Sequence, residues 1–297
     1  MIMNKIIAVV LVLVMTLSCF AICGAEEASY NPDLPGVVAG LLTYMNFGSS
    51  GEDTFVSEVD GVNHFSRGFD DLNSAILAIQ SGKIIVLSDL PQAVAGYIIN
   101  RVEGLDWSTE GYFGGSIDMC MAVLKENEEL YNKLNNAIVE LRNDGTLDQM
   151  KEQYVDAYLN NNEEPVPVEL PKFEGAETIR IAVCGDLPPI DFIAADGTPA
   201  GFNVALLSAI AEKLQVNFEL VQINMGARLL ALVQGNVDVV FANRKISYER
   251  IESDYFASID SHDELMLTES YFTSPLCNLF LQYIVTERIE KGITSYA

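Results

Sequence analysis

The sequence predicts an α/β protein of two domains, and three observations lead there. Strand and helix patterns alternate over 178–242, giving strand–helix–strand–helix–strand, the order that makes a parallel sheet with helices on its faces. A stretch of prolines, asparagines and acids at 160–176 separates this half from an earlier one. The chain has 297 residues, enough for two medium domains with ample core.

The later half, 177–297, is the clearer one. Residues 178–184 read as a strand on Ile179, Ile181 and Val183. Residues 185–201 read as a loop, with Pro188-Pro189 and an Asp196-Gly197 turn. Asn203 is placed to cap a helix bearing Val204, Leu207, Ala211 and Leu214. A strand at 218–223 and a helix at 227–234, stopped by Gly235, follow. The strand at 237–242 (Val237, Val239, Val240, Phe241) then runs into a polar turn with Arg244, Lys245 and Arg250. Residues 282–293 read as a terminal helix or strand.

In the earlier half, 30–159, a helix is expected over 70–80 on Leu72, Ala75, Ile76 and Ile79, with Gly82 as its stop. A short buried strand follows at 84–87, and Pro91 suits the start of the next helix. Larger apolar residues at every second position (Ile117, Met119, Met121, Val123) predict a strand at 116–124. The strongest helix is 126–143, with Leu130, Leu134, Ile138 and Leu141 as its stripe and Asp144-Gly145 as its end. Residues 31–68 carry no clear period. The spaced prolines of 160–176 favour an extended, semi-rigid linker.

Lys and Arg number 17 against 42 Asp and Glu, a net charge of -25. Such a surface repels phosphate backbones and anionic membranes. Against it, three cations after the 237–242 strand stand out. Ligands of open α/β sheets bind outside the carboxyl ends of strands. A guanidinium there suits a carboxylate, through two parallel hydrogen bonds; an ion pair with a nearby acid is the other reading. No Gly-x-Gly-x-x-Gly follows the first strand and no Gly-Lys-Ser/Thr loop is present, so nucleotide phosphates have no cradle. Basic stripes with interleaved aromatics are missing too.

Residues 1–25 read as a cleaved export signal. Lys5 forms the basic end, 6–15 the apolar run, and Cys23-Gly24-Ala25 the small residues of a cleavage point. A membrane anchor needs a longer run, about 20 apolar residues. A lipid-anchored form is a further reading, through Thr16-Leu17-Ser18-Cys19. Cys120, Cys184 and Cys277 then remain, without Cys-x-x-Cys spacing, so neither a disulfide framework nor zinc is expected. Cys120 and Cys184 sit in apolar runs and read as buried small hydrophobes. His64 and His262, the two histidines, are expected in loops or at the surface and do not make a histidine-based catalytic site. No cofactor and no metal is expected.

Several ordered motifs resemble one family. Asp186-Leu187-Pro188-Pro189-Ile190-Asp191-Phe192, Gly201-Phe202-Asn203-Val204-Ala205-Leu206, Leu232 to Asp238, Ile246-Ser247-Tyr248-Glu249-Arg250 and, more weakly, Thr268 to Tyr271 are similar to the first lobe of bacterial extracellular solute-binding proteins of family 3, the amino-acid receptors of ABC importers. The helix ending at Gly82, Asp89-Leu90-Pro91 and Ala122 to Met150 resemble that family's second lobe and C-terminal elements. Lobe order is therefore inverted. A circular permutation and a fusion of two truncated receptors both give this order; the complementary pieces favour permutation.

The resemblance implies a two-lobed periplasmic-binding-protein type II fold, with open mixed and parallel sheets and helices on both faces. It implies capture of an amino acid or similar small carboxylate outside the cytoplasm, by a monomer, for an ABC-importer permease. Arg250 would clamp the α-carboxylate and Asp89 would meet the α-ammonium; Asp89 as a helix N-cap is the rival reading. Asn243 and Lys245 fall where the family has small hydroxylated residues near the ligand. Leu187, Ile190 and Met225 take positions often aromatic in the family, as an aliphatic pocket wall or as ordinary core. An enzyme on the same scaffold, a small-acid dehydratase or lyase using Asp191, Asp89 or Lys245, and a non-transporting sensor are the alternatives.

Overall fold

The computed structural model describes residues 30–43, 51–59, 61–108, 115–160, 167–248 and 264–282, with the backbone alone at 59, 160, 225 and 242–248. The chain divides into two compact units. Among the described residues, 30–116, 247–248 and 275–282 belong to unit one; 117–246 and 264–274 belong to unit two. Residues 1–29, 109–114, 249–263 and 283–297 lie outside the description, and with them the export signal, Arg250, His262 and the expected terminal element.

Unit one begins where the sequence had no clear period. Strand β1 (Gly36–Leu42) is parallel to β3 (Val62–Phe69), which pairs antiparallel with β2 (Thr54–Val59). Helix α1 (Leu72–Gln80) starts at Asp71, whose carboxylate accepts from the Ser74 backbone N–H at 2.7 Å. Its buried residues are Leu72, Ala75, Ala78 and Ile79. Strand β4 (Val86–Pro91) lies parallel to β1 on the side away from β3 and is buried at every residue, as a central strand covered on both faces should be. Gly40 on β1 lets the strand lie tight, since a Cβ there would stand 2.5 Å from Cδ1 of Ile84. Helix α2 (Gln92–Ile99) and β5 (Leu105–Ser108) follow. His64 corrects the surface expectation: it lies on β3 and is buried.

Unit two takes up β6 (Gly115–Leu124) from Ile117 on, helix α3 (Glu128–Asn143), α4 (Thr146–Lys151) and α5 (Ala157–Asn160), then β7 (Thr178–Val183). Short strands β8 (Asp186–Leu187), β9 (Asp191–Ile193) and β10 (Pro199–Ala200) form a small antiparallel sheet. Helix α6 (Phe202–Leu214), β11 (Asn217–Gln222), α7 (Arg228–Val233), β12 (Val239–Tyr248) and β13 (Leu265–Leu267) complete it. The main sheet runs β11-β7-β12-β6; β7 is parallel to β11 and β12, and β13 is antiparallel to β6.

Three expectations change here. The N-cap of α6 is Gly201, and Asn203 lies inside the first turn, buried. Strand β12 continues through Tyr248, so Arg244 and Lys245 stand in a strand rather than a turn. Of the stretch expected as an inter-domain linker, 161–166 lie outside the described residues, and 167–176 runs along unit two. Val168 N–H donates to the Pro199 carbonyl at 3.3 Å, and Asn217 holds Phe173 at both backbone groups, at 2.8 and 2.9 Å. Composition shows the prolines but not the asparagine 44 positions away that fixes the path. Helix α3 packs against α6, so 117–160 belongs with 178–246 and the division does not run through 160–176.

The last strand, β14 (Phe272–Leu281), leaves unit two at Ser274 and enters unit one at Pro275. There it lies between β4 and β5, antiparallel to both, giving the order β2-β3-β1-β4-β14-β5. Cys120, Cys184 and Cys277 are free and buried.

Candidate ligand-binding residues

In unit two the first strand leads to a tightly fixed loop. Leu187 and Ile190 are buried together, and the Ile190 N–H donates to the Leu187 carbonyl at 2.9 Å. The Pro188-Pro189 peptide is cis. The first amides of α6 close onto this loop: Phe202 N–H donates to the Pro189 carbonyl at 3.1 Å and Asn203 N–H to the Ile190 carbonyl at 2.8 Å. Gly201 makes the approach feasible. Its φ is +101°, and a Cβ would lie 2.7 Å from both of those carbonyl oxygens.

Asp191 is 2 % exposed and accepts from the backbone N–H groups of Cys184 (3.1 Å) and Gly185 (3.3 Å) and from the Cys184 thiol (3.3 Å). Burial pushes its carboxyl pKa up, against the pull of Arg228 and of these donors. Burial, then the Asp191 charge, pushes the Cys184 thiol well above its ordinary value. The carboxylate thus ties the end of β7 to β9. Arg228 was not singled out from the sequence; opening a short helix it reads as an exposed cation, yet it is 5 % exposed.

The motif acid Asp238 is also structural. It accepts from the Arg180 backbone N–H at 2.8 Å and from Nε and Nη2 of the same residue at 3.0 and 2.7 Å. This bidentate pair joins β7 to the start of β12.

Asp89 lies in unit one, at the end of β4, 6 % exposed and with φ +56°. A left-handed φ is uncommon at a non-glycine residue, though Asp adopts it more readily than most. The N-cap of α2 is Pro91, so the helix does not begin on Asp89. Beside it, Cys277 donates to the Leu90 carbonyl at 3.4 Å; burial, helped by the Asp89 charge, pushes that thiol up. The fold brings Leu187 and Ile190 together in one loop. Asn243 and Lys245 lie on β12, and Met225 in the 3-10 turn Met225–Ala227, by backbone alone; Arg250 is outside the described residues. Among the described residues no group of three His, Cys, Asp or Glu stands close enough to hold a metal ion. A recess of about 450 Å³ in unit two is lined by Leu124, Lys125, Glu126, Val233 and Glu264, none of them an expected site residue.

Residues 179–270 match the family described as bacterial extracellular solute-binding proteins, family 3. The family likeness rests on this segment. The match begins at the second residue of β7 and ends just before β14, spanning the small sheet, the cradled loop and the Arg180–Asp238 pair. Similar solved structures include Tv2483 bound to L-arginine (11% identity, 86% of this chain and 82% of that one, TM-score 0.42). Others are ytmK of Bacillus subtilis, a probable amino-acid ABC transporter extracellular-binding protein (9%, 87% and 94%, TM-score 0.37), and a putative L-cystine ABC transporter from Listeria monocytogenes (10%, 88% and 89%, TM-score 0.37). No curated protein matches the chain by sequence. Family 3 is extracellular by description, and its members bind solutes. Among the described residues no helix is long and apolar enough to cross a membrane.

Proposed function

We propose that this protein captures an amino acid or a similar small carboxylate outside the cytoplasm and delivers it to an ABC-importer permease. The family 3 match over 179–270 carries the reading. Arg250 follows Asp238 at the family's spacing and takes the ligand carboxylate; Asp89 takes the ammonium, a role its burial and left-handed backbone support. Leu187, Ile190 and Met225 give the apolar wall, with Asn243 and Lys245 near the ligand. Residues 1–25 direct export.

We also read the chain as a circular permutant. Its C-terminal-type elements, 117–160, share a unit with its first-lobe-type elements, while 36–108 share one with the end of β14. One complete receptor in altered order has that arrangement.

Calorimetric titration with a panel of amino acids tests the binding role. At least one binds, and Arg250→Ala weakens it by about 2–5 kcal/mol, since truncation leaves a carboxylate unpaired. Absence of binding, or an affinity unchanged by Arg250→Ala, defeats the reading.

A further inference from the structure

Unit one holds a buried polar group that the surrounding protein does not answer. Ser88 and Asn278 are 7 % and 1 % exposed. The Ser88 hydroxyl oxygen, and both Oδ1 and Nδ2 of Asn278, have no hydrogen-bond partner. Strand register brings these two residues to one place. Along β14, Leu276 lies opposite Pro91 and Cys277 opposite Leu90, then Leu279 opposite Leu87 and Phe280 opposite Val86. One residue of β14, Asn278, therefore faces two of β4, Ser88 and Asp89. This is a β-bulge, a device that re-aims a side chain. Side chains alternate across a strand, so Ser88 and Asn278 share the sheet face opposite Leu87 and Leu279. Asp89, the other residue of the bulge, is the one whose backbone is left-handed.

The rest of this strand pair is apolar: Val86, Leu87, Leu90, Leu276, Cys277 and Leu279 are all buried. Unanswered donors and acceptors in such a place are unfavourable, and native proteins supply them with water or a ligand. We propose that Ser88 and Asn278 form the subsite that reads the side chain of the bound amino acid, selecting a neutral carboxamide or hydroxyl. Both groups are uncharged, and each can donate and accept. An aliphatic side chain leaves both unanswered. A charged side chain finds no opposite charge in this pair, and the charge of Asp89 is engaged by the ammonium. The inference rests on the amino-acid reading above and names the class of ligand.

The test is titration of the full chain with L-asparagine, L-glutamine, L-serine and L-threonine against L-alanine, L-valine and L-leucine. One of the polar four binds at least about tenfold more tightly than the apolar amino acids, as a site built to hydrogen-bond its substrate requires. Asn278→Leu and Ser88→Ala each abolish that preference, bringing the polar ligand to the affinity of L-alanine. Asn278→Leu also leaves the thermal midpoint unchanged or raised, because an apolar side chain replaces an unanswered amide. Asn278 serving only a buried water gives the opposite pair of results, a lowered midpoint with the ranking intact, and overturns the proposal. So does a wild-type preference for valine or leucine. Failure to bind any amino acid defeats the amino-acid reading itself, and this inference with it. Ser88→Ala, on the other strand, keeps the test open if Asn278→Leu does not fold.

Discussion

Asp89 joins a left-handed backbone conformation to the ammonium-binding role proposed for it. Its left-handed φ places an acid at the mouth of β4, where glycine would be the unstrained choice. Charge and conformation separate by mutation. Asp89→Gly and Asp89→Ala both remove the carboxylate and both lose amino-acid binding, but the glycine variant is the more stable by about 1 kcal/mol, the cost a Cβ carries in this region. Chemical denaturation of the two variants measures the gap; equal stabilities mean the conformation imposes no constraint. The Asp-Leu-Pro signal was legible in the sequence. Which residue occupies the N-cap of α2 was decided only by the fold, where it is Pro91. Ser88 and Asn278 were not legible as a pair, because each is an ordinary polar residue within its own segment.

Among the elements, β7, α7 and β12 form a unit pinned by the pair Arg180–Asp238. Burial works to raise the Asp238 carboxyl pKa, but hydrogen bonds from the Arg180 side chain and backbone together hold it below the ordinary carboxylate value. A carboxylate whose folded pKa is depressed contributes stability that is present above the ordinary value, near 3.9, and lost as pH falls through the folded one. Asp238→Asn therefore lowers the thermal midpoint at pH 7, and the gap from wild type narrows as pH falls below about 4. Melting curves over that range decide it; a gap constant with pH assigns the effect to something other than the ionised pair. The helix and strands of this segment follow from apolar periodicity. The length of β12 does not, since its polar end, Asn243 to Lys245, has no strand-like pattern.

For the molecule as a whole, the decisive feature is that unit one is completed by the far end of the chain. Leu276, Cys277, Leu279 and Leu281 are buried, and β14 separates β4 from β5. A chain ended after Ser274 loses that strand and leaves β4 with an unpaired edge. Hydrogen exchange on such a truncation shows β1 and β4 unprotected while β7 and β11 keep their protection. Retained protection in β1 and β4 means the unit closes without β14. The strongly acidic composition acts at this scale too, since a net charge of -25 repels other polyanions.

By itself the sequence determined the alternation of strands and helices in 178–242, the stripe of α3, the burial of Cys120 and Cys184, and the ordered motifs of a solute-binding segment. Each of these is a local pattern, set by side-chain period or by a few adjacent residues. Tertiary structure alone decided where the chain divides, that 167–177 runs along unit two, that His64 is buried, and that Asn278 stands opposite Ser88 and Asp89. Those facts depend on pairing between strands far apart in the chain, and a sequence pattern carries no record of which distant partner answers a given strand or polar group.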